Sequence, residues 1–373
     1  MIVINLREGK TGRAECTAAI AIALVISGLF SFESSEAYAK GNSTYLSLPI
    51  ACFLAFAVFA LCAFAMKKSK SGDLTTLLNT TLGKIPATVL SIYFSAIIIA
   101  CTCTLLNRFL NILRSFFFQD ASYYAIAVYM LLVISVLAAT GFEAINRTAK
   151  LTSVFLIIVM LLLFVNSGNS YQLYKIYPIA GDGATSMSLF SLQSTVYFLP
   201  ALIVALIASR GMHGVRNASK NAATAVVISA ALCAVSQLFL ALSYTYDELA
   251  KLYMPLYRMS MVTGTQNFLV RLDKISVFIW MSGVLIACGY YIYGASLLHC
   301  KAFSQSDIRP AACSFSLVTV IICLITHLSQ PLMFRILNFI HSYGTWLISV
   351  PLILISVIAI IKYYVKEQKN ARA

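Results

Sequence analysis

The chain has 373 residues, of which 60% are hydrophobic and only 11% charged, and its formal net charge is +14. Ordinary soluble domains carry roughly 25% charged residues, so a water-exposed globule of this size is excluded. The ten cysteines lie in or at the ends of apolar runs with no C-x-x-C pair, which suits small packing residues better than a disulfide framework or a metal centre.

A helix needs ~20 apolar residues to cross a bilayer, and runs of that kind recur along the chain. In order, spans are expected at 14–32, 44–66, 86–113, 123–143, 148–166, 187–209, 222–244, 272–299, 311–329 and 343–363. The first ends in Phe32-Glu33-Ser34-Ser35 without a small-residue cleavage site, so it reads as a retained helix and not a signal peptide. The fourth and fifth are expected to meet in a tight hairpin at Asn146-Arg147. The longest connections, Asn166 to Ser186 and Thr245 to Arg271, leave no room for a separate catalytic domain.

Lys and Arg set the orientation. With the N-terminus in the cytoplasm, 18 of the 27 basic residues fall in cytoplasmic segments, and every such segment is basic. An even number of spans then brings the C-terminus back to the same side. This distribution accounts for the positive charge without nucleic acid.

The expected fold is an all-α polytopic membrane protein of about ten helices, forming one membrane domain over 1–373. Ten spans divide into two sets of five, about 14–166 and about 187–363, and an odd-numbered repeat inserts its second copy upside down. Backbone in lipid must satisfy its own hydrogen bonds, so breaks belong where protein or a cavity covers them. The first helix of each set carries a breaker: Gly28 in Ile26-Ser27-Gly28-Leu29-Phe30, and Pro200 after Thr195-Val196-Tyr197-Phe198. Amides and carbonyls freed there suit the carboxylate and amine of a small zwitterion; the plainer alternative is a packing point and a simple kink. The expected ligand-lining residues are Ser27, Gly28, Phe30, Thr195, Tyr197 and Phe198, with Thr102, Leu106 and Ser282 behind them.

Arg108, beside Asn107 in the outer half of span three, is the best buried ionisable candidate, or else it snorkels to the interface. No Asp or Glu falls near the middle of a span, which weakens proton-coupled transport. No phosphate loop, HExxH or nucleophile elbow is present, and neither a cofactor nor an enzyme activity is expected. His213, His299, His327 and His341 are scattered and carry no assigned chemistry.

Several patterns together resemble the B-subunit, or germination permease, family of spore germinant receptors, a branch of the amino acid–polyamine–organocation superfamily. They are Leu82-Gly83-Lys84 before span three and Tyr177-Pro178-Ile179-Ala180-Gly181-Asp182-Gly183 before span six. The third is Arg271-Leu272-Asp273, followed by Trp280 and Tyr291-Ile292-Tyr293-Gly294 in span eight. The chain departs from the family pattern in span one, which keeps only Gly28, with Glu33 near the usual proline. It departs again in span six, where Pro200 and Leu202 stand where a Gly and a Glu are frequent. The resemblance implies a LeuT-like five-plus-five fold and a sensor in the spore inner membrane. It implies a small germinant of amino acid or nucleoside type, and two partners: a membrane A subunit and a lipoprotein C subunit. A secondary transporter of amino acids or related solutes is the alternative, and an integral-membrane enzyme a distant third.

Overall fold

The computed structural model describes residues 11–31, 37–38, 41–179, 181, 183–263 and 272–372. Among these there is no strand. Ten helices are long and apolar enough to cross a membrane. They are span one (Arg13–Phe30), two (Thr44–Lys68), three (Lys84–Phe116), four (Tyr123–Thr140) and five (Phe142–Asn166). Span six is Ala184–Ile207, seven Val215–Ser243, eight Leu272–Phe303, nine Arg309–Leu328, and ten runs within Gln330–Arg372. Glu33 and Arg271, used in the sequence argument, lie outside the described residues.

The differences from expectation have physical causes. The turn between spans four and five is made by Gly141, at φ +96° with open space around it, not by Asn146-Arg147. A single left-handed glycine ends one helix and starts the next. Spans seven and ten begin well before their apolar blocks, at Val215 and Gln330. Hydropathy marks lipid contact, whereas backbone hydrogen bonding continues through the polar turns around Arg216, Lys220, Asn338 and His341.

Burial orders the bundle. Every residue from Ala19 to Phe30 in span one is buried. So are all nine residues of Leu199–Ile207 in span six, and the whole stretch 286–298 of span eight. Helices that are apolar and covered all round form the centre. Spans four, five and nine keep long exposed apolar faces, such as Tyr129, Leu151 and Leu317, and so lie at the lipid boundary. Small residues set the closest crossings: a Cβ at Gly283 would stand 2.7 Å from Ile26, and one at Gly289 would stand 2.9 Å from Leu137.

The helix ends collect in two groups, as alternating spans require. At the basic end the short amphipathic helix Leu74–Leu82 leads through Gly83 (φ +89°) into span three. The start of span one and the last turns of span ten are here: Arg13 meets Asn217, and Lys362 donates to the Thr81 carbonyl. At the other end the connection after span five folds over the start of span two. Asn42 donates to the Lys175 carbonyl (2.7 Å), Tyr45 to the Ile179 carbonyl (3.1 Å), and Lys175 to the Ser243 carbonyl (2.7 Å).

Candidate ligand site

Span six is broken. An α-helix runs Ala184–Ser194, a 3₁₀ turn covers Thr195–Tyr197, and a new helix starts at Leu199. Pro200 lacks an N–H, and its ring clashes with the carbonyl four residues back, so a helix passing through it is kinked or broken, and here it is broken. The two halves point opposite dipole ends at the gap: the carbonyl end of Ala184–Ser194 and the amide end of Leu199–Ile207.

Span ten closes this break with one face, His341, Gly344 and Thr345. The Thr345 hydroxyl donates to the carbonyls of Leu192 (2.8 Å) and Gln193 (3.0 Å). A Cβ at Gly344 would lie 2.6 Å from Val196, so only glycine allows span ten this close to the turn. Tyr197 Oη and His341 Nδ1 are hydrogen-bonded at 2.9 Å, and Arg108 lies within electrostatic reach of His341.

Span one behaves differently from expectation. Its helix is continuous through Gly28, and the Ser27 carbonyl accepts the Ser31 amide at 3.1 Å. A glycine permits a break but does not force one, and no proline follows within the described turn. Gly28 is a crossing point: a Cβ there would lie 2.8 Å from the Phe198 ring and 3.0 Å from Cys233 Sγ. Glycine on span one thus accommodates the aromatic residue that ends the span-six break.

Around this crossing the structure assembles most of the expected residues. Ser27 Oγ bonds Tyr291 Oη at 2.7 Å, and Tyr291 in turn donates to the Ala23 carbonyl at 3.2 Å. Phe30 packs edge-on to Phe109 (5.8 Å between centroids) and against Trp280 (5.6 Å). Thr102 and Leu106 are buried on the face of span three that also carries Phe109, with the Thr102 hydroxyl turned back to Ile98 O. Thr195 bonds back to the Ser191 carbonyl at 2.9 Å. Ser282 does not join the group. It is half-buried and bonds Phe278 O of its own helix, and nine residues at about 100° each put it opposite Tyr291. The residue that serves instead is Trp280, eleven positions before Tyr291 and therefore on nearly the same face.

Two polar atoms here are fully buried with no hydrogen-bond partner among the described residues: Ser194 Oγ at the break and Trp280 Nε1 beside Phe30. A buried donor left unmade costs about 1–3 kcal/mol, and an indole N–H can only donate.

A separate cavity of about 530 Å³ lies between spans three, nine and ten, lined by Ile92, Ile99, Cys103, Phe315, Ile322 and Leu337 among others. It contains none of the expected site residues, and its wall is mostly apolar, with Ser95, Thr104, Asn107, His299 and Thr326 as its polar members.

The basic end is held by a charge node. The Asp73 carboxylate, 1% exposed, meets Arg210 Nε at 2.9 Å and Lys301 Nζ at 3.1 Å, while it caps its own short helix through the Thr76 amide at 2.8 Å. Ser209 adds a bond to the Gly72 carbonyl at 2.7 Å, and Lys301 one to the Ile207 carbonyl at 3.2 Å. Burial alone would raise the Asp73 pKa. Lys301, the Thr76 amide and Arg210 outweigh it and hold the carboxyl below its usual value. The node ties the inner half of span six to span eight and to the Leu74–Leu82 helix.

An all-helical bundle with spans one, six and eight at its centre and a broken span six is a permease-like membrane protein. Solved structures share the fold. A Na⁺-coupled sialic acid symporter, substrate-bound and outward-open, matches with a TM-score of 0.66 at 12% identity, over 92% of this chain and 79% of that one. A manganese transporter of Eremococcus coleocola, in complex with an aromatic bis-isothiourea compound, gives 0.55 at 14% identity, over 97% and 91%. A point mutant of that transporter gives 0.59 at 14% identity, over 92% and 78%. The fold is the LeuT-like fold of such transporters. The family model described as spore germination protein matches residues 13–331, and the chain belongs to that family. No curated protein sequence matches it.

Proposed function

We propose that this chain is the ligand-sensing membrane subunit of a spore germinant receptor. It binds a small nutrient of amino acid or nucleoside type at the broken span six and passes the change to a membrane A subunit and a lipoprotein C subunit. It sits in the spore inner membrane with both termini cytoplasmic, and its repeats are about 14–166 and 187–363. The observation that carries the reading is the break at Thr195–Phe198. Opposite helix ends face each other there, against Ser27, Gly28 and Phe30, with Ser194 and Trp280 offering polar atoms that no group among the described residues satisfies.

The site is occluded by Phe198 lying on Gly28. Ligand entry therefore requires that contact to loosen, and ligand shifts the equilibrium only by its differential affinity for the loosened packing. Span ten is the natural transmitter, since Thr345 and His341 hold the break directly. Equilibrium binding of tritiated amino acids and nucleosides to the purified chain tests the site. Gly28→Trp and Tyr197→Ala are expected to lower affinity at least tenfold, and unchanged affinity in both overturns it.

The second reading is a secondary transporter, favoured by the transport activity named for the solved structures of like fold. Against it, no Asp or Glu among the described residues lies near the middle of a span, where a coupling proton is usually carried. Net solute accumulation in proteoliposomes under a sodium or proton gradient would favour the transporter.

A further inference from the structure

At the basic end a cavity of about 520 Å³ opens between the end of span two, the Leu74–Leu82 helix and the end of span ten. Its wall carries Lys68, Lys70 and Lys362, the helix-terminal Thr80 and Thr81, and Glu367. Among the described residues none of the three lysines pairs with a carboxylate, so the cavity is positive by two charges with Glu367 counted. Lys68 is held in place by three rings, Phe64, Tyr363 and Tyr364, at 5.9, 5.6 and 5.6 Å from its Nζ. Phe64 and Tyr364 are half-exposed, as aromatic residues at the headgroup level of a bilayer are.

Below Lys68 an exposed apolar strip runs back along span two through Phe64, Ala57 and Phe53. Steps of seven and four residues keep it on the helix face that carries Lys68. From Phe64 to Phe53 it rises about 16 Å, half of the ~30 Å hydrocarbon core and so the depth of one leaflet. A basic pocket between helices, opening onto an apolar track of leaflet length, has the two chemistries of a phospholipid in order.

We propose that this cavity binds the phosphate headgroup of an anionic phospholipid, with an acyl chain lying along Phe64, Ala57 and Phe53. The phosphate sits among Lys68, Lys70 and Lys362. Glu367 opposes it and tempers the affinity. The site bridges the Leu74–Leu82 helix and span ten, so an occupant reinforces the contact to which the bond from Lys362 to Thr81 contributes.

Native mass spectrometry of the purified full chain, titrated with phosphatidylglycerol, phosphatidylcholine or inorganic phosphate, tests this. Phosphatidylglycerol is expected to bind at least tenfold more tightly than phosphatidylcholine. Lys70→Gln and Lys362→Gln should each weaken it about fivefold, the worth of one interfacial lysine, and Glu367→Gln should strengthen it. Lys220→Gln, exposed and outside the cavity's lining, should change nothing. Lys70 is exposed, so its variant keeps the test valid if Lys362→Gln fails to fold. Equal retention of phosphatidylglycerol by Lys70→Gln and the parent overturns the proposal. So does inorganic phosphate binding as tightly as the lipid, which marks a free-anion site.

Discussion

Replacing Thr345 with valine keeps the side-chain shape and removes one proton donor. That donor is shared between the Leu192 and Gln193 carbonyls at 2.8 and 3.0 Å, at the point where span six stops being α-helical. One hydroxyl proton is lost, so the cost is that of one buried bond, about 1–2 kcal/mol. A shift of about 1.4 kcal/mol is tenfold in an opening equilibrium. Hydrogen exchange at the amides of Thr195 to Phe198 is therefore expected to quicken about tenfold in Thr345→Val. The midpoint of thermal unfolding in detergent should fall by a few degrees, and Thr345→Ser, which keeps the hydroxyl, should stay close to the parent. Equal exchange in the valine and serine variants would refute the claim that span ten holds the break.

Gly28→Ala is expected to destabilise the parent, because overpacking against Phe198 costs about 1–3 kcal/mol while the helix gains about 1 kcal/mol from alanine. In a Phe198→Leu background the ring clash is gone and only the close approach to Cys233 Sγ remains, so the same change should cost clearly less; an identical effect in both backgrounds would contradict the contact. Ser27→Ala and Tyr291→Phe act on one hydrogen-bond chain, so their combined thermal shift should be smaller than the sum, and strict additivity would separate them. Asp73→Asn removes the carboxylate that Lys301 and Arg210 share in the node, at a cost of about 3 kcal/mol. Because the folded-state pKa of Asp73 is depressed, its contribution is complete above the ordinary carboxyl range of about 4. It fades as pH falls through the lower folded value. The stability gap between parent and Asp73→Asn should thus be flat from pH 5 to 8 and narrow on acidification; a gap that widens would reverse the sign of the argument.

The crossing of the membrane was legible because bilayer thickness writes itself into the length of each apolar run. The ends were less so: Gln330–Arg372 is one helix, yet its first turns carry Arg335, Asn338 and His341 and read as a loop. Pro200 announced its break through an absent N–H. Gly28 announced only a small residue, and its use as the seat of Phe198 depends on a partner 170 positions away. Ser282 was placed on the wrong face of span eight, although the eleven-residue spacing from Trp280 to Tyr291 already defines the inward one. His341, Thr345 and the stranded Ser194 hydroxyl had no signal in the chain, since each acquires its role from a contact made only when span ten folds over span six. The Asp73 node was likewise invisible, being assembled from three separate segments at the ends of helices.

The most direct measurement is photo-crosslinking with a diazirine analogue of whichever amino acid or nucleoside binds, followed by peptide mapping. Adducts on the Ser27–Phe30 and Ser194–Phe198 stretches, competed away by the unmodified compound, are the predicted result. Adducts confined to the cavity between Ile92 of span three and Ile322 of span nine would contradict the account.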